Sequence, residues 1–162
     1  MTPPTATDTP ISARSRYFRA ADVSFTLVEH ELTYSASDEA RATMAQASHV
    51  AKTVALRDDE GYVFVTVPAT ERVHLESVNH LFDRDELRLA TEDEIAVDLQ
   101  PCELGALPPV GPLVGALEVL DERLMGHGLA GAGDKLHSVI VHADEIARAT
   151  DAKVADVCER PT

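Results

Sequence analysis

Apolar positions along this chain come in short runs that alternate between a two-residue and a roughly 3.6-residue period, the signatures of strands and amphipathic helices. ISARSRYFRAAD (Ile11 to Asp22) has helical spacing, with Ile11, Tyr17, Phe18 and Ala21 toward one side. FTLVEHEL (Phe25 to Leu32) reads as a strand. SASDEARATMAQA (Ser35 to Ala47) reads as a helix with Ser35 or Ser37 as cap and Asp38 and Glu39 in its first turn. HVAKTVALR and YVFVTVPA are apolar strands joined by DDEG, a hairpin turn. Val73 to Phe82 predicts a helix, ELRLAT a short strand, and TEDEIAVDL a helix capped by Thr91 ahead of an acidic first turn. GALEVLD predicts a strand, DERLM a short helix and GLAGAGD a glycine-rich loop. KLHSVIVH predicts a strand, ADEIARAT a closing helix and KVADVC an edge strand. The irregular alternation with one clear hairpin argues for an α+β fold, a mixed β-sheet or barrel-like core flanked by helices, rather than a regular Rossmann arrangement.

The chain has 162 residues, 44% of them apolar, which suits one domain with a real core. Residues 1–10, MTPPTATDTP, read as a disordered tail, and 11–162 as a single domain without repeats or an internal linker. The tail has neither the basic residues nor the apolar core of a signal peptide, and no apolar run is long enough to cross a bilayer. The expected location is the cytoplasm, where Cys102 and Cys158 stay reduced; they form neither a CxxC nor a zinc spacing.

Charge changes the picture more. The net charge is −14, and all of it falls in residues 58–162; residues 1–57 carry six basic and six acidic side chains and sum to zero. Such a chain repels nucleic acid as a whole, so DNA is not an expected partner and any RNA contact needs a local basic face. Arg14, Arg16 and Arg19, in the neutral third, are the candidates for it.

Within the strand HVAKTVALR, alternation sets Val50, Lys52, Val54 and Leu56 on one face and Ala51, Thr53, Ala55 and Arg57 on the other. An ammonium on the bulkier apolar face either answers an anion such as a phosphate or reaches water along the strand edge. ELGALPPVG (Glu103 to Gly111) is a Gly-x-x-x-Pro turn: glycine admits unusual backbone angles and proline fixes the segment after it, so backbone groups can grip a carbonyl or orient a water. GLAGAGD could cradle a phosphate through successive N–H groups, although it is neither a Walker loop nor a GxGxxG. The seven histidines form no metal-ligand pair at helical spacing, and no GxSxG is present.

The order "AKT", "VTVPATERVHLESV", "LRLATEDEI", "ELGALPPVG", "VLDERL", "AGAGD" resembles the YbaK/EbsC aminoacyl-tRNA deacylase family, whose domain is also the editing insertion of bacterial prolyl-tRNA synthetases. The resemblance covers roughly residues 20–155. It implies a barrel-like α+β domain that hydrolyses the ester of a wrongly attached amino acid at the 3′ end of tRNA, without metal or organic cofactor. It implies Lys52, Gly105 and Pro109 as catalytic positions. Thr53, Ala106, Leu107 and Pro108, with Gly131, Gly133 and Asp134, are implied to contact the substrate. Its partners would be the aminoacylated tRNA 3′ end and an aminoacyl-tRNA synthetase. Val110 stands where the family commonly has an aromatic residue, and Asp134 where it often has a small hydroxyl residue. No side chain in these motifs is an evident general base. Positioning, a backbone carbonyl on the water, or a group of the substrate itself would have to serve. The rival expectation is a non-catalytic module of the same fold that binds tRNA or a synthetase.

Overall fold

The hairpin at DDEG is the spine of the sheet. Strand β1 is Phe25–Glu29, β2 is His49–Asp58 and β3 is Gly61–Pro68; β2 and β3 pair antiparallel from Ala51↔Pro68 to Asp58↔Gly61. Gly61 takes a φ of +137°, a backbone angle that side-chain-bearing residues avoid, and this closes the turn. Asp58 reinforces it by accepting from the Glu60 N–H at 2.8 Å and from Arg84 at 2.7 Å. The structure, a computed structural model, describes residues 25–29, 49–99, 107, 109, 111–134 and 137–159; for 25–29, 49, 113, 130–134 and 137–141 it describes the backbone alone. The tail and both helices expected before residue 48 lie outside the described residues.

The remaining elements are α1 (Leu75–Leu81), β4 (Arg88–Leu89), α2 (Glu92–Asp98), a 3-10 turn at Gly111–Val114, β5 (Leu117–Asp121), a second 3-10 turn at Glu122–Leu124, β6 (Gly128–Asp134), β7 (His137–His142), α3 (Ala143–Thr150) and β8 (Lys153–Ala155). They build one mixed sheet in the order β1-β7-β6-β2-β3-β5-β8, with β4 beside β2. The β2–β6, β3–β5 and β5–β8 pairs are parallel and the others antiparallel. The α+β expectation of a mixed sheet flanked by helices holds. The predicted cap of α2 is a full capping box: the Thr91 hydroxyl accepts from the Glu94 N–H, and the Glu94 carboxylate accepts from the Thr91 N–H. Among the described residues no helix is long and apolar enough to cross a membrane.

One expectation fails. GLAGAGD is not a loop but strand β6, paired with β7 from Gly128↔His142 to Asp134↔His137, with a register irregularity between Ala132 and Asp134. Glycine density suggested a turn, yet the neighbouring strands β2 and β7 supply the backbone partners that make it a strand.

The sheet is covered on both sides, which is why Val63 to Val67 are all buried. One face holds Leu56, Val63, Val65, Val67 and Val119 against Val78 of α1 and Val157 and Cys158 after β8. The other face carries two clusters. Ala55 and Phe64 pack with Ile95 and Leu99 of α2, Leu107 and Ala116; Ala51 and Leu120 pack with Leu124, Leu129 and Ala143 and Ile146 of α3. Between those clusters alternation places three polar residues, Thr53, Thr66 and Glu118.

Candidate functional site

Lys52 lies in β2, half-buried and opposite Val67. Its strand is unusual on its far edge. β6 pairs with it at His49–Val50 and β4 at Leu56–Arg57, and the Ala90 N–H closes on the Ala55 carbonyl at 2.9 Å. Between these contacts no strand pairs with β2 among the described residues. Alternation from Ala55 turns the Thr53 N–H and C=O toward that stretch. The Thr53 side chain faces the other way from Lys52, and its hydroxyl meets that of the fully buried Thr66 at 2.9 Å.

The described part of the glycine–proline turn packs on the Thr53 side of the sheet. Leu107 is buried with Ala55, Phe64, Ile95, Leu99 and Ala116, and Pro109 is buried too. Lys52 therefore lies on the face opposite Leu107. Gly105, Ala106 and Pro108 lie outside the described residues, as do Arg14, Arg16 and Arg19. Gly131, Gly133 and Asp134 are strand positions of β6, with Gly133 at the register irregularity.

The turn ends on a residue that is held tightly. The Gly111 N–H donates to Glu118 Oε1 at 2.7 Å, and its carbonyl accepts from the Ala116 N–H at 2.9 Å. A Cβ at Gly111 would stand 2.8 Å from the Leu117 carbonyl oxygen, so the close approach requires glycine. Glu118 is 4% exposed, and burial pushes its carboxyl up to about 8 against the opposing pull of the Gly111 N–H. Sequence reading passed over Glu118. The signal was available: a lone charge within an apolar strand, the same pattern that singled out Lys52.

Most described cations are already matched. Arg57 pairs with Glu94 and Asp98, Arg84 with Asp58 and Glu60, Arg88 with Glu94, Arg123 with Asp121 and Asp156, and Arg148 with Glu145. Glu94, between Arg88 and Arg57 and bonded to the Thr91 N–H, is held well below the ordinary carboxylate range. Tyr62 is pushed up to about 12 by burial and by its hydrogen bond to Asp98 at 2.6 Å. Among the described residues Lys52, Arg72 and Lys153 have no carboxylate within ion-pair distance, and Lys153 lies over the Phe82 ring at 5.8 Å. No group of three or more His, Cys, Asp or Glu side chains among the described residues is placed to hold a metal ion.

Strand order and helix placement define an α+β domain with a mixed, doubly covered sheet. The chain belongs to the aminoacyl-tRNA editing domain family, whose model matches residues 30–149. Solved structures share the fold. The crystal structure of the hypothetical protein APE2540 matches with a TM-score of 0.79 and 25% identity, over 91% of this chain and 99% of that one. A candidate trans-editing enzyme for prolyl-tRNA synthetase matches with a TM-score of 0.82 and 23% identity, over 96% of this chain and 100% of that one. No curated protein sequence matches the chain. The resemblance drawn from the strand lysine and the glycine–proline turn is thus borne out at the level of the family.

Proposed function

We propose that this protein is an aminoacyl-tRNA deacylase that acts in trans, hydrolysing the ester of mischarged tRNA. The observation that carries the reading is Lys52: a half-buried ammonium beside a strand edge that no described strand pairs, without a carboxylate partner among the described residues, in a chain of the editing family. The 3′-terminal nucleotide offers a phosphate and a ribose next to the ester. Lys52 holds the phosphate or ribose as a point charge, and the Thr53 N–H and C=O on that edge bind an extended part of the same end. Residues Gly105 to Pro109 hold the aminoacyl group and the attacking water through backbone groups. Water adds to the ester carbonyl, the tetrahedral intermediate collapses, and the free amino acid leaves with the tRNA 3′ end regenerated. No metal or organic cofactor takes part. Arg14, Arg16 and Arg19 contact the acceptor end, and a cytoplasmic location suits the substrate.

The test is deacylation of a panel of mischarged tRNAs by wild type and Lys52→Ala. The expected result is hydrolysis of one or more substrates by wild type and a loss of about 100-fold or more in the variant with an unchanged melting temperature. A variant that keeps wild-type turnover overturns the assignment of Lys52.

A second reading rests on the −14 charge and the matched arginines, which leave little free positive surface for tRNA among the described residues. In that reading the domain binds an aminoacyl end or a synthetase without hydrolysis. A wild-type protein that binds the acceptor end and hydrolyses no member of the panel selects it.

A further inference from the structure

Glu118 has an unequal hydrogen-bond inventory. Its Oε1 accepts from the Gly111 N–H at 2.7 Å, whereas Oε2 is a buried side-chain oxygen with no hydrogen-bond partner. The Thr150 hydroxyl of α3 lies near the carboxyl. That hydroxyl has one proton, and it is committed to the Ile146 carbonyl at 2.8 Å. Thr150 therefore supplies no donor to Oε2. An ionised Glu118 would leave a charged oxygen buried without a donor, the costliest arrangement for a polar group. A protonated Glu118 lessens the defect, because a neutral hydroxyl costs far less to bury unpartnered than a charged oxygen.

We propose that Glu118 is kept as a neutral acid and is a positioning residue for the glycine–proline turn, accepting from the Gly111 N–H at its exit through Oε1. That bond joins the exit of the turn to the middle of β5. Gly111 is suited to its place at this junction, since its carbonyl is bonded to Ala116 and no Cβ fits there. The charged and titratable groups on the elements around Glu118 are engaged elsewhere. Tyr62 of β3 is held by Asp98, Glu145 and Arg148 of α3 pair with each other, Asp144 of α3 lies exposed beside His142, and Lys153 of β8 lies over Phe82. No charged group contributes to the shift at Glu118; burial, opposed by the Gly111 N–H, accounts for it. The role in catalysis rests on the deacylase reading, while the protonation state and the hold on Gly111 do not.

The full-length protein is compared with Glu118→Gln and Glu118→Leu. Glutamine reproduces the neutral acid, with a carbonyl for Gly111; leucine keeps the bulk and offers no acceptor. Infrared spectra at pH 7 are expected to show a carboxylic-acid C=O stretch in wild type that is missing in Glu118→Gln. Absence of that band from wild type overturns the neutral acid. Amide hydrogen exchange at Gly111 is expected to be slow in wild type and Glu118→Gln and at least 10-fold faster in Glu118→Leu. Equal protection in all three overturns the hold on the turn. In deacylation, corrected for uncatalysed ester hydrolysis, Glu118→Gln is expected to keep wild-type kcat at pH 7 and to retain it above pH 8, where wild type declines; Glu118→Leu is expected to lose kcat about 10-fold with KM unchanged. Matching pH profiles for wild type and Glu118→Gln, or full kcat in Glu118→Leu, overturn the positioning role. A wild type that hydrolyses nothing defeats the deacylase reading alone, since the infrared and exchange results still decide Glu118.

Discussion

Two carboxyl groups are buried three residues apart on β5, and they are held in opposite ways. Asp121, fully buried, accepts from the Arg123 N–H at 3.0 Å, the Arg123 guanidinium at 3.1 Å, the Val157 N–H at 3.0 Å and the Cys158 thiol at 3.2 Å. Glu118 has one bonded donor, Gly111, and an oxygen with no partner. Asp121 ties the end of β5 to the segment after β8. Glu118 ties its start to the exit of the glycine–proline turn. Depth of burial is similar, so the difference lies in the supply of donors: many donors support a charge, and one donor leaves neutralisation as the cheaper state.

The sharpest way to break the contrast is to truncate Asp121. Asp121→Ala strands the buried Val157 N–H and leaves Arg123 to Asp156 alone, and with several charge-assisted hydrogen bonds lost a drop of about 3–5 kcal/mol in denaturant unfolding is expected. A loss below about 1 kcal/mol would mean that water replaces the carboxylate there.

The pH dependence of Glu118 comes next. Its folded value, about 8, lies above the ordinary 4.5, so its contribution to stability is complete below about pH 4.5 and is lost as pH rises through about 8. At about 1.4 kcal/mol per unit the window amounts to roughly 3–5 kcal/mol. Glu118→Leu lacks this titration. It is expected to be about 1–2 kcal/mol less stable than wild type at pH 4, from the unpartnered Gly111 N–H, and more stable than wild type at pH 9. Unfolding curves at both pH values check the crossing; parallel behaviour places an ionised carboxylate at Glu118.

Gly111→Ala tests the same junction from its other side. The added Cβ meets the Leu117 and Ala116 carbonyl oxygens at 2.8 and 3.0 Å, and the expected cost is about 1–3 kcal/mol with a loss of Gly111 exchange protection. Wild-type melting in this variant would show that the turn relaxes freely.

The smallest effect is expected at Cys158. Burial and the Asp121 carboxylate push its thiol up to about 12, so native protein at pH 8 is expected to leave Cys158 unalkylated by iodoacetamide, read by peptide mass spectrometry. Cys158→Ala removes one of several donors to Asp121, at an expected cost of about 1 kcal/mol. Rapid labelling would show that the Asp121 end of β5 opens readily.

Much of the fold was legible because its signals are local. The apolar runs around DDEG determine the hairpin, Thr91 and Glu94 determine the cap of α2, and a lone lysine in an apolar strand marks Lys52. These depend on residues a few positions apart, and so does the family pattern that spans the chain. The misreading of Gly128–Asp134 has the opposite cause: a glycine-rich segment has weak local preference, and only pairing with β7, and with β2 at its start, makes it a strand. Tertiary structure alone also set β6 and β4 at the two ends of one edge of β2, with no described strand between them, and matched five arginines to carboxylates distant or near in sequence. It decided the fates of Glu118 and Asp121 as well. In the sequence both are acidic residues of one strand. The register with β3, the packing of Gly111 and α3 over one, and the return of Val157 and Cys158 over the other determine how many donors each receives. Sequence specifies which groups are present, whereas protonation and partnership depend on the distances and desolvation that folding creates.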